Sequence, residues 1–241
     1  MNNRQFDHWK PALKPGQLAE SRLINAFLDG TFPINSRLPA ERDLAELLGI
    51  TRPTLREALQ RLERDGWIEI QHGKATRVRD FWAEGNLGVT IALAQYQHPL
   101  PYDFVAGLFG VRILLAPAYF SAAVGNEPEK VVDFLSAAES LPDTAEDFAV
   151  FDWKLHWQLT IYAGNPFFTH FMNSVRQLYE VVGVPYFSHM HTRSHSRDFY
   201  RQLLAAAENK NTDQAAILAQ TVMRESAELW EQITQGSKNH E

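Results

Sequence analysis

Cysteine is absent from the chain, which excludes a disulfide framework and any thiolate metal site. That composition suits a reducing compartment, and a cytoplasmic location is expected. The opening residues, MNNRQFDHWKPALKPG, lack the uninterrupted apolar core that a signal peptide needs. Long hydrophobic runs are missing too. The richest stretch, around Phe104–Phe120, is interrupted by Gly107, Gly110, Arg112 and Pro117, so no membrane span is expected. Positive charge is in short supply, with a formal net charge of −6, so bulk attraction cannot carry nucleic-acid binding. No glycine-rich phosphate loop and no nucleophile motif occurs, and neither an enzyme nor a cofactor is expected.

What remains is an ordinary globular composition, 45% hydrophobic over 241 residues, enough for one large core or two smaller ones. The charge is unevenly spread. Residues 1–82 hold 13 Lys and Arg against 11 Asp and Glu, a net of +2, whereas 83–241 hold 10 against 18, a net of −8. A mildly basic N-terminal part is thus joined to an acidic remainder.

The N-terminal part reads as three helices and a hairpin. Residues 17–29 place Leu18, Ile24, Phe27 and Leu28 at helical spacing before Gly30. A short helix opens at Pro39-Ala40-Glu41-Arg42 and closes at Gly49. Thr51 is a suitable N-cap, and Pro53 suits the first turn of the helix it begins. In that helix Leu55, Ala58, Leu59 and Leu62 form one apolar face, and Gly66 ends it. The period then changes: residues 67–71 and 76–79 read as two strands around His72-Gly73-Lys74. Three helices followed by a β-hairpin is the plan of a winged helix-turn-helix.

From about Leu87 no strands are expected, only amphipathic helices near 87–96, 103–123, 128–140, 145–163, 167–183, 195–209 and 212–234. The fold class is therefore mainly α: a winged helix-turn-helix over 1–82 and an all-α helical bundle over 83–241.

Arg52 and Arg56 stand four residues apart, opposite the leucine face, and Arg42 begins the preceding helix. Arginines set on the front of a helix whose back is apolar fit the major groove, where each can pair bidentately with guanine. Thr51 and Thr54 are placed for phosphate or base contacts, and His72-Gly73 at the wing tip for phosphate or minor groove. Surface ion pairing with Glu41, Asp43 or Glu57 is the plainer alternative for the arginines.

The run LPAERDLAELLGITRPTLREALQRLERDGWIEIQHGKATRV resembles the winged helix of the GntR family of bacterial regulators, and QHGKATRVRDFW resembles its fatty-acid-responsive branch. The resemblance continues more loosely through FDWKLHWQLTIYAGNP, YEVVGVPYF, FYRQLLAAA and ESAELW. It implies a homodimer on a short palindromic operator, contacted by Arg42, Thr51, Arg52, Thr54, Arg56, His72 and Gly73. It also implies a ligand-sensing bundle, with two candidate chemistries.

Many relatives hold a divalent metal through an Asp-x-x-x-His pair and two further histidines, capped by a small carboxylate. Asp152 and His156 reproduce the pair, but Arg201 and Arg224 stand where the other ligands would be, and arginine cannot ligate a metal. His189, His191 and His195 fall in a loop-like stretch. The favoured effector is a long-chain acyl-CoA. By resemblance its cavity involves Arg112, Tyr186, Glu225, Ser226 and Trp230, with Asp152 as a candidate partner for Arg112. Met223 stands where the acyl-CoA-responsive relatives carry glycine.

Overall fold

The computed structural model describes residues 13–71, 73–96 and 102–238. The chain divides into two compact units, Met1–His98 and Pro99–Glu241.

In the first unit, α1 (Pro15–Leu28), α2 (Glu41–Leu48) and α3 (Arg52–Asp65) pack together. Each stops where the sequence supplies a left-handed or polar terminus. Gly49 takes φ 68° after α2, and Gly66 takes φ 96° after α3, conformations that cost glycine nothing. Thr51 caps α3 by accepting the Thr54 N–H at 3.4 Å. Leu55, Ala58, Leu59 and Leu62 are buried as the periodicity predicts. Trp67 is fully buried, its ring 6.0 Å from Phe27 and 4.7 Å from Phe81.

The wing pairs β1 (Ile68–Glu69) antiparallel to β2 (Arg77–Val78), with Ile68 opposite Val78. Arg37 adds an isolated bridge to Arg77. The strands are shorter than the alternation suggests. One reason is local: the Ile70 N–H donates to Glu63 Oε1 at 2.7 Å instead of to a strand.

After the short α4 (Phe81–Glu84), α5 (Leu87–Tyr96) returns to pack on α1 and α3. The expectation assigned 87–96 to the bundle. Two contacts tie it to the winged helix: Asn86 Nδ2 donates to Arg64 O at 2.7 Å, and a Cβ on Gly88 would lie 2.5 Å from Asp65 Cγ. Being apolar nearly all round, α5 carries no stripe that names its partner.

The second unit is all-helical among the described residues: α6 (Tyr102–Asn126), α7 (Pro128–Ser136) with a 3-10 turn at Ala137–Ser140, α8 (Ala145–Tyr162), α9 (Pro166–Phe187), α10 (Met190–Glu208) and α11 (Thr212–Lys238). Helix α6 packs on α11 and α8, α8 on α9, and α10 on α7 and α11. By length and composition Phe104–Asn126 would suffice to cross a membrane, with mean hydropathy 1.6. Its Tyr119, Phe120, Ala123 and Val124 are instead buried in the bundle core.

Helix α10 begins well before the expected residue 195, so His191 and His195 are helical and His189 is its N-cap residue. The turn is tightened by side chains. Thr192 Oγ1 donates to Tyr186 O and His189 O, both at 2.7 Å, and Arg193 Nη1 donates to Phe187 O at 2.8 Å. These bonds satisfy the last carbonyls of α9, letting the chain reverse without a loop.

Candidate functional site

Two surfaces follow from this fold, one in each unit. On the winged helix, α3 turns Arg52 and Arg56 to solvent, and Arg42 is exposed at the start of α2. Arg42 Nε donates to Asp43 Oδ1 at 2.8 Å, and Arg56 Nε donates to Glu41 Oε2 at 2.6 Å. Both side chains are therefore engaged in surface ion pairs, the plainer of the two alternatives that the sequence leaves open for them. Arg52 has no ion pair among the described residues. The Thr51 and Thr54 hydroxyls lie 2.9 Å apart, so both belong to the cap of α3. Gly73 is exposed at φ 71°. His72 lies outside the described residues.

In the bundle, Arg112 projects from α6 into the core. Its Nη2 donates to His156 Nε2 at 2.9 Å and to the Tyr179 hydroxyl at 3.0 Å, and lies 3.8 Å from Asp152 Oδ2. Its Cζ sits 4.8 Å from the Tyr179 ring centroid, a cation–π contact. Because Arg112 donates to Nε2, the His156 proton must reside on Nδ1, which faces the Tyr119 hydroxyl at 2.6 Å. Asp152 accepts from Tyr200 at 2.9 Å and from Tyr179. One buried carboxylate is thus matched to one buried guanidinium through neutral donors, which is what makes such charges tolerable.

Burial, reinforced by the Arg112 charge, pushes His156 down to about 3 against the pull of Asp152. Burial also drives Tyr179 and Tyr200 well above the ordinary phenol range.

Asp152 and His156 do come together, as an i, i+4 pair 3.8 Å apart. The nitrogen that would ligate a metal is instead bonded to a cation. A divalent ion there would have to expel Arg112, and no cluster of three His, Cys, Asp or Glu side chains is found among the described residues. Arg201 is exposed and bonds Asp198 at 3.0 Å, and Arg224 is exposed.

Beside this network lies a small cavity lined by Arg112, Asp152, Tyr179, Tyr186, Met223 and Ser226, with apolar side chains from α6, α9, α10 and α11. It leaves about 30 Å³ for the centres of water molecules, room for only about two. Burial pushes Tyr186 up to about 12, partly offset by Ser226. The two hydroxyls nevertheless miss hydrogen-bond geometry, since Tyr186 Oη has no partner. Arg112 Nε and Trp230 Nε1 are likewise buried without one.

Four of the six residues proposed for the ligand site, Arg112, Asp152, Tyr186 and Ser226, share this cavity. Glu225 and Trp230 do not line it. Glu225 pairs with His195 at 2.7 Å, while Trp230 packs 6.3 Å from Phe109, a cavity-wall residue. Sequence reasoning missed Tyr119, Tyr179 and Tyr200. Their signal was available only as tyrosines on apolar helix faces, where a hydroxyl must find a partner.

A winged helix with arginines exposed on its third helix, joined to an all-helical unit, is the plan of a transcription regulator. Comparison with known proteins gives the family. Residues 16–78 match the family described as bacterial regulatory proteins, gntR family, and residues 79–239 match the FadR C-terminal domain. Curated relatives named fatty acid metabolism regulator protein include one from Shewanella pealeana, 39% identical over 91% of this chain and 92% of its own length. Another, from Shewanella frigidimarina, is 39% identical with the same coverages. A solved structure of Lar, which controls expression of the Listeria monocytogenes agr system, shares the fold with a TM-score of 0.64 at 15% identity, covering 92% of this chain and 99% of that one. The chain belongs to the GntR family, in the branch carrying the FadR C-terminal domain. It is a DNA-binding transcription regulator and not an enzyme.

Proposed function

We propose that this protein controls fatty-acid metabolism genes, binding a palindromic operator as a homodimer and leaving it when a long-chain acyl-CoA enters the helical unit. Arg42, Thr51, Arg52, Thr54, Arg56, His72 and Gly73 contact the operator. Arg112, Asp152, Tyr186 and Ser226 receive the ligand, with Trp230 and Glu225 at the periphery of its path.

The observation that carries this reading is the cavity's chemistry. Apolar walls from Leu108, Phe109, Val182 and Val222 suit a hydrocarbon chain, while the unpartnered Arg112 Nε and Tyr186 Oη suit the oxygens of its polar head. Ligand sites in general occupy on the order of 300–1,000 Å³, so the cavity as it stands is a closed state. Entry must part the helices. The ligand's preference for the parted arrangement is then the free energy available to change DNA affinity.

The test uses DNA selected by the protein from a random pool. Bound protein is titrated with oleoyl-CoA, free oleate and free CoA while fluorescence anisotropy reports release. Release by oleoyl-CoA alone is expected. Retention of DNA through saturating acyl-CoA would remove the effector from this reading while leaving the DNA-binding function standing.

A further inference from the structure

Glu41 and Arg56 meet across the helix-turn-helix in a contact that DNA recognition does not by itself require. Arg56 stands in the second turn of α3, Glu41 at the first residue of α2, and Arg56 Nε donates to Glu41 Oε2 at 2.6 Å. The side chains are 66% and 39% exposed, so the pair lies at the surface rather than in the core. The neighbouring Arg42 is paired only locally, with the next residue of its own helix: its Nε donates to Asp43 Oδ1 at 2.8 Å.

Two consequences follow from the atoms used. A guanidinium bound through Nε keeps both Nη groups free and fixes the plane in which they point. Those two groups are the ones that pair with O6 and N7 of guanine. The carboxylate also offsets the arginine's charge and repels phosphate. Attraction to arbitrary DNA is a matter of charge and counterion release, whereas discrimination is a matter of aligned donors. An acid placed here sacrifices the first and protects the second.

We infer that Glu41 is a specificity-determining residue: it aligns Arg56 for a base edge while suppressing Arg56 as a non-specific phosphate contact. This rests on the DNA-binding reading of α3. It also accounts for how a winged helix of weak net positive charge can be selective, since Arg42 and Arg56, two of its three proposed reading arginines, are each paired with an acid. Arg52, which has no such partner among the described residues, is left as the unmasked cation of α3's first turn.

Glu41→Gln removes the charge and keeps the oxygen acceptor; Glu41→Ala removes both. Each is compared with the wild type on selected operator and on random DNA over a range of salt, with thermal unfolding alongside. For Glu41→Gln, affinity for random DNA should rise roughly twofold to fivefold, the scale of one released surface pair. Its salt slope should steepen by about 0.9, one additional phosphate contact. Operator affinity should move less, so the operator-to-random ratio falls. For Glu41→Ala the ratio should fall further, because Arg56 loses its alignment and operator affinity drops.

An acid in the first turn of a helix also favours the helix dipole, and that plainer role has its own signature. A lower melting temperature with an unchanged ratio and unchanged salt slope would overturn the inference. If wild-type protein itself fails to separate operator from random DNA, the DNA reading of α3 falls, and this inference with it.

Discussion

His156 has both ring nitrogens engaged and no exposure to water, which couples its charge to folding. In the unfolded chain the imidazole titrates near 6.5; in the folded protein it is held down to about 3. Above 6.5 neither state binds the proton, and the contribution of this residue is fully present. As pH falls from 6.5 toward 3, the unfolded chain takes up a proton that the folded chain refuses. Stability is then lost at up to ~1.4 kcal/mol per pH unit. Denaturant unfolding between pH 6.5 and 5, above the carboxylate range, should show this slope. His156→Gln should flatten it while lowering stability at neutral pH. An unaltered slope in that variant would assign the acid sensitivity to other histidines. At this scale the sequence was informative where chemistry is unambiguous. Arg112 inside GLFGVRILLAPAYF had to find a counter-charge, and Asp152 was nameable as that charge. The tyrosine hydroxyls that complete the network were not nameable, because their positions depend on how α6, α8, α9 and α10 are rotated against each other.

Among the elements, caps and breakers were the most legible features. Thr51, Gly49 and Gly66 terminate helices where the sequence places them, since each choice is local and depends on few neighbours. Gly66 has a second constraint that no local pattern reveals. Besides its φ of 96°, a Cβ there would lie 2.8 Å from Gly85 Cα and 3.1 Å from Glu84 O. Gly66→Ala should therefore cost about 1–3 kcal/mol. The loss should appear as accelerated hydrogen exchange in the end of α3 and in the wing. A variant with unchanged exchange there would mean that the Gly85 backbone gives way without penalty. The elements that eluded the sequence are those decided at a distance. His191 and His195 lie in α10, whose early start Thr192 and Arg193 support by satisfying the end of α9. Helix α5 packs on α1 and α3 with Gly88 close against Asp65, although it lies within the stretch 79–239 that matches the FadR C-terminal domain.

At the scale of the whole molecule, the proposed ligand sensing would compete with core packing for the same space. Met223 is 2% exposed, belongs to the bundle core and lines the cavity. It is the flexible, unbranched side chain among largely branched or aromatic neighbours, the kind that fills an irregular gap. Closing the cavity stabilises the ligand-free fold. On the proposed function it would also lower apparent affinity, because only the fraction of molecules already parted could bind. Met223→Ala should separate the two effects. Removing the side chain from a packed core should lower stability by about 2–5 kcal/mol. Yet the same change vacates volume that an acyl chain needs, so oleoyl-CoA should bind more tightly than to the wild type. Urea unfolding and acyl-CoA titration on one preparation give both numbers. Lower stability with stronger binding would mean that Met223 blocks the chain's path. Lower stability with weaker binding would mean that Met223 touches the chain in the bound state, and that the helices open elsewhere. Loss of binding to every acyl-CoA in wild type and variant alike would count against the effector, not against Met223.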